Sequence, residues 1–161
     1  PVAPAAGGIL NPGFENGATF APWSASAGVV TNSKSEPAHG GSWYAWLCGY
    51  GSTHTDTLNQ QFTLPSSLTS ASLSFYLHID TAETTKSIAY DTLKVQITNA
   101  SGTVLATLGT YSNLDKAAGY TLKKFDISAF KGQTIKINLV ATEDSSLQTS
   151  FVVDDFALTI K

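Results

Sequence analysis

Apolar residues at every second position leave this chain one class of fold. Leu73, Phe75, Leu77 and Ile79 share one parity, while Ser74, Tyr76, His78 and Asp80 share the other. Successive side chains of an extended strand point to opposite faces, so this segment is a half-buried strand. The pattern returns in Leu93, Val95 and Ile97, in Ile135, Ile137 and Leu139, and in Phe156, Leu158 and Ile160. Asn99-Ala100-Ser101-Gly102 turns one strand into the next, and Pro65-Ser66-Ser67 ends the strand that carries Phe62 and Leu64. No segment sustains a helical period with caps, and Ile127 to Gly132 is at most a short turn. The prediction is an all-β fold: a two-sheet antiparallel β-sandwich of the jelly-roll type, in preference to a closed barrel, with no substantial helix.

The composition narrows the function classes. The 161 residues are 42% hydrophobic and 13% charged with 13 glycines, which fits one ordered, turn-rich domain. That domain is read as residues 9–161. Residues 1–8, Pro-Val-Ala-Pro-Ala-Ala-Gly-Gly, have the composition of an interdomain linker or tail, so the domain is expected to be a module of a longer polypeptide. A net charge of −3 without any basic run lacks the footprint of a nucleic-acid or anionic-membrane binder. No apolar stretch is long enough to span a bilayer. Cys48 stands alone, which leaves no internal disulfide framework and no cysteine-based zinc site. Asn99-Ala100-Ser101 fits the short glycosylation sequon.

The two ends of the chain set carboxylates among core-like residues: Asn11-Pro12-Gly13-Phe14-Glu15-Asn16-Gly17 and Phe151-Val152-Val153-Asp154-Asp155-Phe156-Ala157-Leu158. A buried carboxylate needs a partner or a metal, so acids from both terminal strands are candidates to close a calcium site. With Pro22-Trp23 following the first of them, these segments resemble the galactose-binding-like jelly rolls, which include carbohydrate-binding modules and MAM-type domains. The stretches Gly41 to Leu47, His54 to Leu58, Phe125 to Thr134 and Thr149 to Asp155 are similar to accessory domains found C-terminally in secreted bacterial hydrolases such as sedolisin-type peptidases. The resemblance implies a structural calcium held by Glu15, Asp154, the Gly13 carbonyl and a carbonyl near Gly41 or Ser42. Hard oxygen ligands suit that ion. Parity sets Asp154 in step with Val152, Phe156, Leu158 and Ile160 and turns Asp155 outward. The competing reading makes Glu15 a solvated turn acid and Asp154 a hydrogen-bonded corner.

A sugar-binding module needs exposed rings beside polar groups that bond sugar hydroxyls. With Ala45 and Leu47 facing the core, Tyr44, Trp46 and Tyr50 take the opposite face, and Trp43 packs inward. Tyr76 and His78 have outward parity, as do Lys94, Gln96 and Asn138, so together they are expected to form one polar-aromatic surface. Tyr44, Trp46, Tyr76 and His78 are therefore the candidate ligand-binding residues, and the competing reading has loops covering them as a second small core.

Catalysis finds less support. His39, His54 and His78 lie near Ser or Asp, but no Gly-x-Ser-x-Gly elbow and no His-Glu-x-x-His pattern occurs. The acids Glu36, Glu83, Asp91 and Glu143 fall at strand ends or in loops, where such residues are turn formers or solvated. The chain is thus read as a non-enzyme: a calcium-stabilised accessory module of a secreted bacterial hydrolase, extracellular, beside a parent catalytic domain. Its task is substrate positioning or protein contact, with a polysaccharide or protein as ligand. The alternatives are a carbohydrate-binding module using an aromatic concave face and a protein-protein adhesion module.

Overall fold

The computed structural model describes residues 5–6 and 8–161. Among these the strands are β1 (Ala5–Ala6), β2 (Ser24–Ala25), β3 (Val30–Thr31), β4 (Tyr44–Cys48), β5 (His54–Thr63), β6 (Ala71–Thr81), β7 (Thr92–Asn99), β8 (Val104–Ser112), β9 (Thr121–Asp126), β10 (Thr134–Glu143) and β11 (Thr149–Ile160). One sheet runs β1-β5-β10-β7-β8, with β2 also paired to β5, and the other runs β3-β4-β11-β6-β9. The result is the all-β, two-sheet sandwich that the alternation predicts. The helical pieces among the described residues are three-residue 3₁₀ turns at Asn113–Asp115 and Ser128–Phe130. The second falls where the sequence predicts a turn. Every pairing is antiparallel except β1 with β5, where Ala5 and Ala6 run parallel to Phe62 and Thr63. Two residues of the expected linker thus join a sheet edge, while residues 1–4 and 7 lie outside the described residues. No helix among the described residues is long and apolar enough to cross a membrane.

The core fills the space between the sheets, as the alternation requires. Leu58 and Phe62 from β5, Ile135, Ile137 and Leu139 from β10, and Leu93, Val95 and Ile97 from β7 meet Ala45, Leu47, Phe75, Leu77, Ile79, Phe151 and Val153 from the other sheet. At one end Phe14, Trp23 and Phe156 cluster in tilted and edge-on pairs with centroids 4.8–6.1 Å apart. This packs the opening and closing segments of the chain against each other. Trp43 packs against the core with its indole over Gly17.

The parity of β11 differs from the expectation. Asp154 pairs with Tyr76 but Ala157 pairs with Ser74, so β11 carries one residue more than β6 over this span. Such a bulge reverses which face the side chains take. Before it the core residues are Phe151 and Val153, and after it Phe156, with Leu158 and Ile160 packed against the core. Val152 and Asp154 therefore share the face opposite the core, out of step with Phe156. Asp155 takes up the extra length with φ of 48°.

Candidate functional site

Twelve acids face nine lysines and no arginine, and the ion pairs among the described residues all use histidine: His39 with Asp155, His54 with Asp56, and His78 with Glu36. Buried carboxylates must then take main-chain donors. Where the two chain ends meet, Glu15, although exposed, accepts at Oε1 the N–H groups of Ser42 and Trp43, each at 2.8 Å. Asp154 Oδ2 accepts those of His39 at 2.9 Å and Gly40 at 3.1 Å, and its Oδ1 accepts that of Asp155 at 2.8 Å. The positive φ of Asp155 swings its carboxylate back to His39 Nδ1, 2.6 Å away, and against Gly13, so it joins the cluster it was expected to leave. Burial is the main cause that lifts the Asp154 carboxyl to about 6, opposed by its N–H donors.

Glycine is required here. A Cβ on Gly40 would stand 2.6 Å from Asp155 Oδ2, and one on Gly41, whose φ is +60°, would fall inside the Glu15 carboxylate. Beside the His39 ring nitrogen, Glu15, Asp154 and Asp155 bring hard carboxylate oxygens, and a Cβ on Gly13 would lie 3.0 Å from Asp155 Oδ1 and 3.8 Å from Asp154 Oδ1. That chemistry fits calcium. Among the described residues no three His, Cys, Asp or Glu side chains are close enough to hold a metal by themselves. An ion here would need main-chain carbonyls to complete its shell.

The aromatic face has a different fate. Register aligns Trp46, Val152 and His78 across β4, β11 and β6, with Asp154 and Tyr76 as the next pair. These side chains share the outer face of the β4-containing sheet, but residues 32–41 lie over it as a strap. Tyr44 Oη donates to the Ser33 carbonyl at 2.8 Å and Tyr120 Oη to that of Pro37 at 2.6 Å. His39 stacks on Tyr76 with centroids 3.7 Å apart, and Glu36 Oε2 lies 3.7 Å from His78 Nε2. Tyr44 is consequently 1% exposed and His78 is buried, with Tyr76 half-covered. These three form the second small core of the competing reading. Lys94, Gln96 and Asn138 are on β7 and β10 of the other sheet, so the single surface joining them to Tyr76 and His78 does not exist. Alternation reports parity but not which sheet a strand enters.

Trp46 escapes the strap. It is half-buried at the β3–β4 side and lines a cavity of about 240 Å³ with Gly28, Thr31, Ser33, Gly49 and Tyr50. Tyr50 is 52% exposed and lies over the His54 ring with centroids 3.9 Å apart. The positive φ of Cys48, Gly49 and Gly51 breaks the strand and carries Tyr50 out to the cavity rim. Trp46 Nε1 is buried with no hydrogen-bond partner among the described residues. That atom lies under Gly49 and not at the cavity surface, so the cavity combines two aromatic rings with hydroxyl groups.

Glu143, Asp91 and Asp56 have structural partners. Glu143 accepts the N–H groups of Tyr50, Gly51 and Thr149, and Asp91 accepts Asp144 N–H and the Thr149 hydroxyl. Asp56 takes Cys48 N–H and faces His54 Nε2. Burial then pushes the Cys48 thiol up to about 12, helped by Glu143 and Asp56. These groups pin loops, and no serine is bonded to any of the three histidine rings among the described residues.

No protein-family model matches this chain, and no curated protein matches it in sequence. Solved structures do share its fold. A family-61 carbohydrate-binding module, solved with β-1,4-galactotriose, is 19% identical with a TM-score of 0.68, over 98% of this chain and 100% of that one. The CBM22-1 xylan-binding domain of Paenibacillus barcinonensis Xyn10C is 18% identical with a TM-score of 0.55, over 98% and 97%. The K3 cleaved adhesin domain of Lys-gingipain from Porphyromonas gingivalis is 14% identical with a TM-score of 0.59, over 94% and 99%. At these identities the likeness is one of fold.

Proposed function

We propose that this chain is a non-catalytic carbohydrate-binding module that takes a saccharide at the cavity between Trp46 and Tyr50. The observation that carries the reading is that pair of rings on a hydroxyl-lined cavity, at a place the strap leaves open. Aromatic faces stack on the C–H face of a sugar ring, while Thr31 and Ser33 offer partners for its hydroxyls. The fold likeness to a carbohydrate-binding module solved with β-1,4-galactotriose and to a xylan-binding domain supports it. The module would be an extracellular accessory domain that positions a parent catalytic domain on polysaccharide. A calcium ion held by Glu15 and Asp154 with main-chain oxygens near Gly13, Gly41 and Ser42 would join its two ends.

Calorimetry and polysaccharide pull-down against galactan, xylan and soluble cellulose derivatives test the reading. Wild type should bind at least one polymer, and Trp46→Ala and Tyr50→Ala should each lose that binding while melting within a few degrees of wild type. Binding indifferent to both substitutions would move the site elsewhere. Binding to none would favour the second reading, a protein-contact module, which the fold shared with the gingipain adhesin domain supports.

A further inference from the structure

A second cavity lies at the end of the sandwich where residues 82–91 meet the turn at Asn113–Asp115. It measures about 490 Å³ and is lined by Glu83, Thr85, Lys86, Asn113, Leu114 and Lys116. Its walls are held in place. Asn113 Oδ1 accepts the N–H groups of Tyr90 and Asp91, and its Nδ2 donates to the Ile88 carbonyl. Glu83 N–H donates to Thr81 Oγ1, which in turn is 2.7 Å from Thr149 Oγ1. Within this fixed frame the Glu83 side chain is an exception. The residue is 8% exposed, yet its carboxylate has neither a hydrogen bond nor an ion pair among the described residues. Asp56, Asp91, Glu143 and Asp154 all have donors, and Glu36 has His78. The Glu83 oxygens keep access to the cavity, so their hydrogen-bond donors must come from water or from whatever fills that space.

We propose that this cavity is a second saccharide site, which takes adjacent hydroxyls of a neutral sugar between the Glu83 carboxylate and the ammonium groups of Lys86 and Lys116. A hydroxyl both donates and accepts, so a diol can satisfy an acceptor wall and a donor wall at once. Charged ligands meet an obstacle on one side. A cation faces the two lysines, and an anion faces Glu83 with Asp91 and Asp144 behind it, the same acids that, after burial, raise the Glu83 carboxyl above its usual range. Leu114, 40% exposed, gives the C–H face of the ring an apolar wall. The volume lies within the range of roughly 300–1,000 Å³ seen for small-molecule sites.

This inference rests on the saccharide-binding reading, and the experiment separates the two. Neutral galacto-, xylo- and cello-oligosaccharides, a glucosamine oligomer and an oligogalacturonate are titrated into wild type, Trp46→Ala, Glu83→Gln and the double variant, with heats and backbone amide shifts recorded. Neutral sugars should move the amides of residues 83–86 and 113–116 in Trp46→Ala, and Glu83→Gln should weaken that binding about tenfold. Glu83→Gln should melt no lower than wild type, because it removes an unpaired charge. Binding in wild type that Trp46→Ala abolishes, with those amides still, overturns the second site and leaves the first. Tighter binding of either charged oligomer at those amides overturns the neutral-sugar assignment. No shift anywhere with any sugar overturns both.

Discussion

A carboxylate in this chain is stabilised by peptide groups far more than by basic side chains. With lysine as the sole strongly basic residue type, Glu15, Asp91, Glu143 and Asp154 each gather N–H donors from loops they then hold rigid. Hydrogen bonds to a charged acceptor contribute about 1.5–3 kcal/mol each, enough to fix a short loop. The two neighbouring tryptophans show how one residue changes role over three positions. Trp43 sits on Gly17 against the core, whereas Trp46 lines an open cavity. Trp43→Ala should therefore cost about 3 kcal/mol, at the lower end for a buried tryptophan because the ring is half-covered. Trp46→Ala should cost much less. Urea unfolding of both variants measures the difference, and equal losses would mean that Trp46 is as much a packing residue as Trp43.

Among the elements, the long strands were readable from the sequence because one face of each is buried, which makes period-two alternation obligatory. What the sequence did not carry was the partner of each strand. Tyr76 and Gln96 have equally outward parity, but they belong to opposite faces of the sandwich, and only long-range pairing decides that. The β11 bulge was hidden for a related reason, since Val152 and Phe156 are both apolar and both buried, on different faces. The strap was hidden too: residues 32–41 have turn composition, and beside the adjacent Tyr44 its anchors are Tyr76, His78 and Tyr120, which lie far away in sequence. Glu36 beneath it tests how firmly the strap is seated. Burial, with Asp80 adding to it, raises the Glu36 carboxyl against the pull of His78 and Ser150. The folded state then binds that proton more tightly than the unfolded state, so stability is lost as pH rises from the ordinary glutamate value through the raised one. Glu36→Gln removes the penalty. Its stability gain over wild type, measured by urea unfolding, should be near zero at pH 3.5 and greatest at pH 7. An equal effect at both would show that Glu36 titrates alike in both states.

For the whole molecule, the decisive contacts are those that close the chain on itself. Phe14, Trp23 and Phe156 make a shared aromatic cluster beside the core, and Glu15, Asp154 and Asp155 gather just beyond it around Gly13 and the segment from His39 to Trp43. Two stretches near the start of the chain and one more than a hundred residues further on thus converge only when the sandwich is complete. A cation that needs oxygens from all three binds the folded state and has no site in the unfolded one, so its binding energy becomes folding energy. At calcium a hundredfold above its dissociation constant the added stability is about 2.7 kcal/mol. Purified protein should melt higher in millimolar calcium than in excess chelator, and Glu15→Gln and Asp154→Asn should each shrink that difference. Asp155→Asn distinguishes the ligands: a smaller effect than that of Asp154→Asn assigns Asp155 to holding His39, and an equal effect assigns it to the ion. Identical melting temperatures in calcium and chelator would mean that the N–H groups of His39, Gly40, Ser42 and Trp43 suffice to hold the ends of the chain together without an ion.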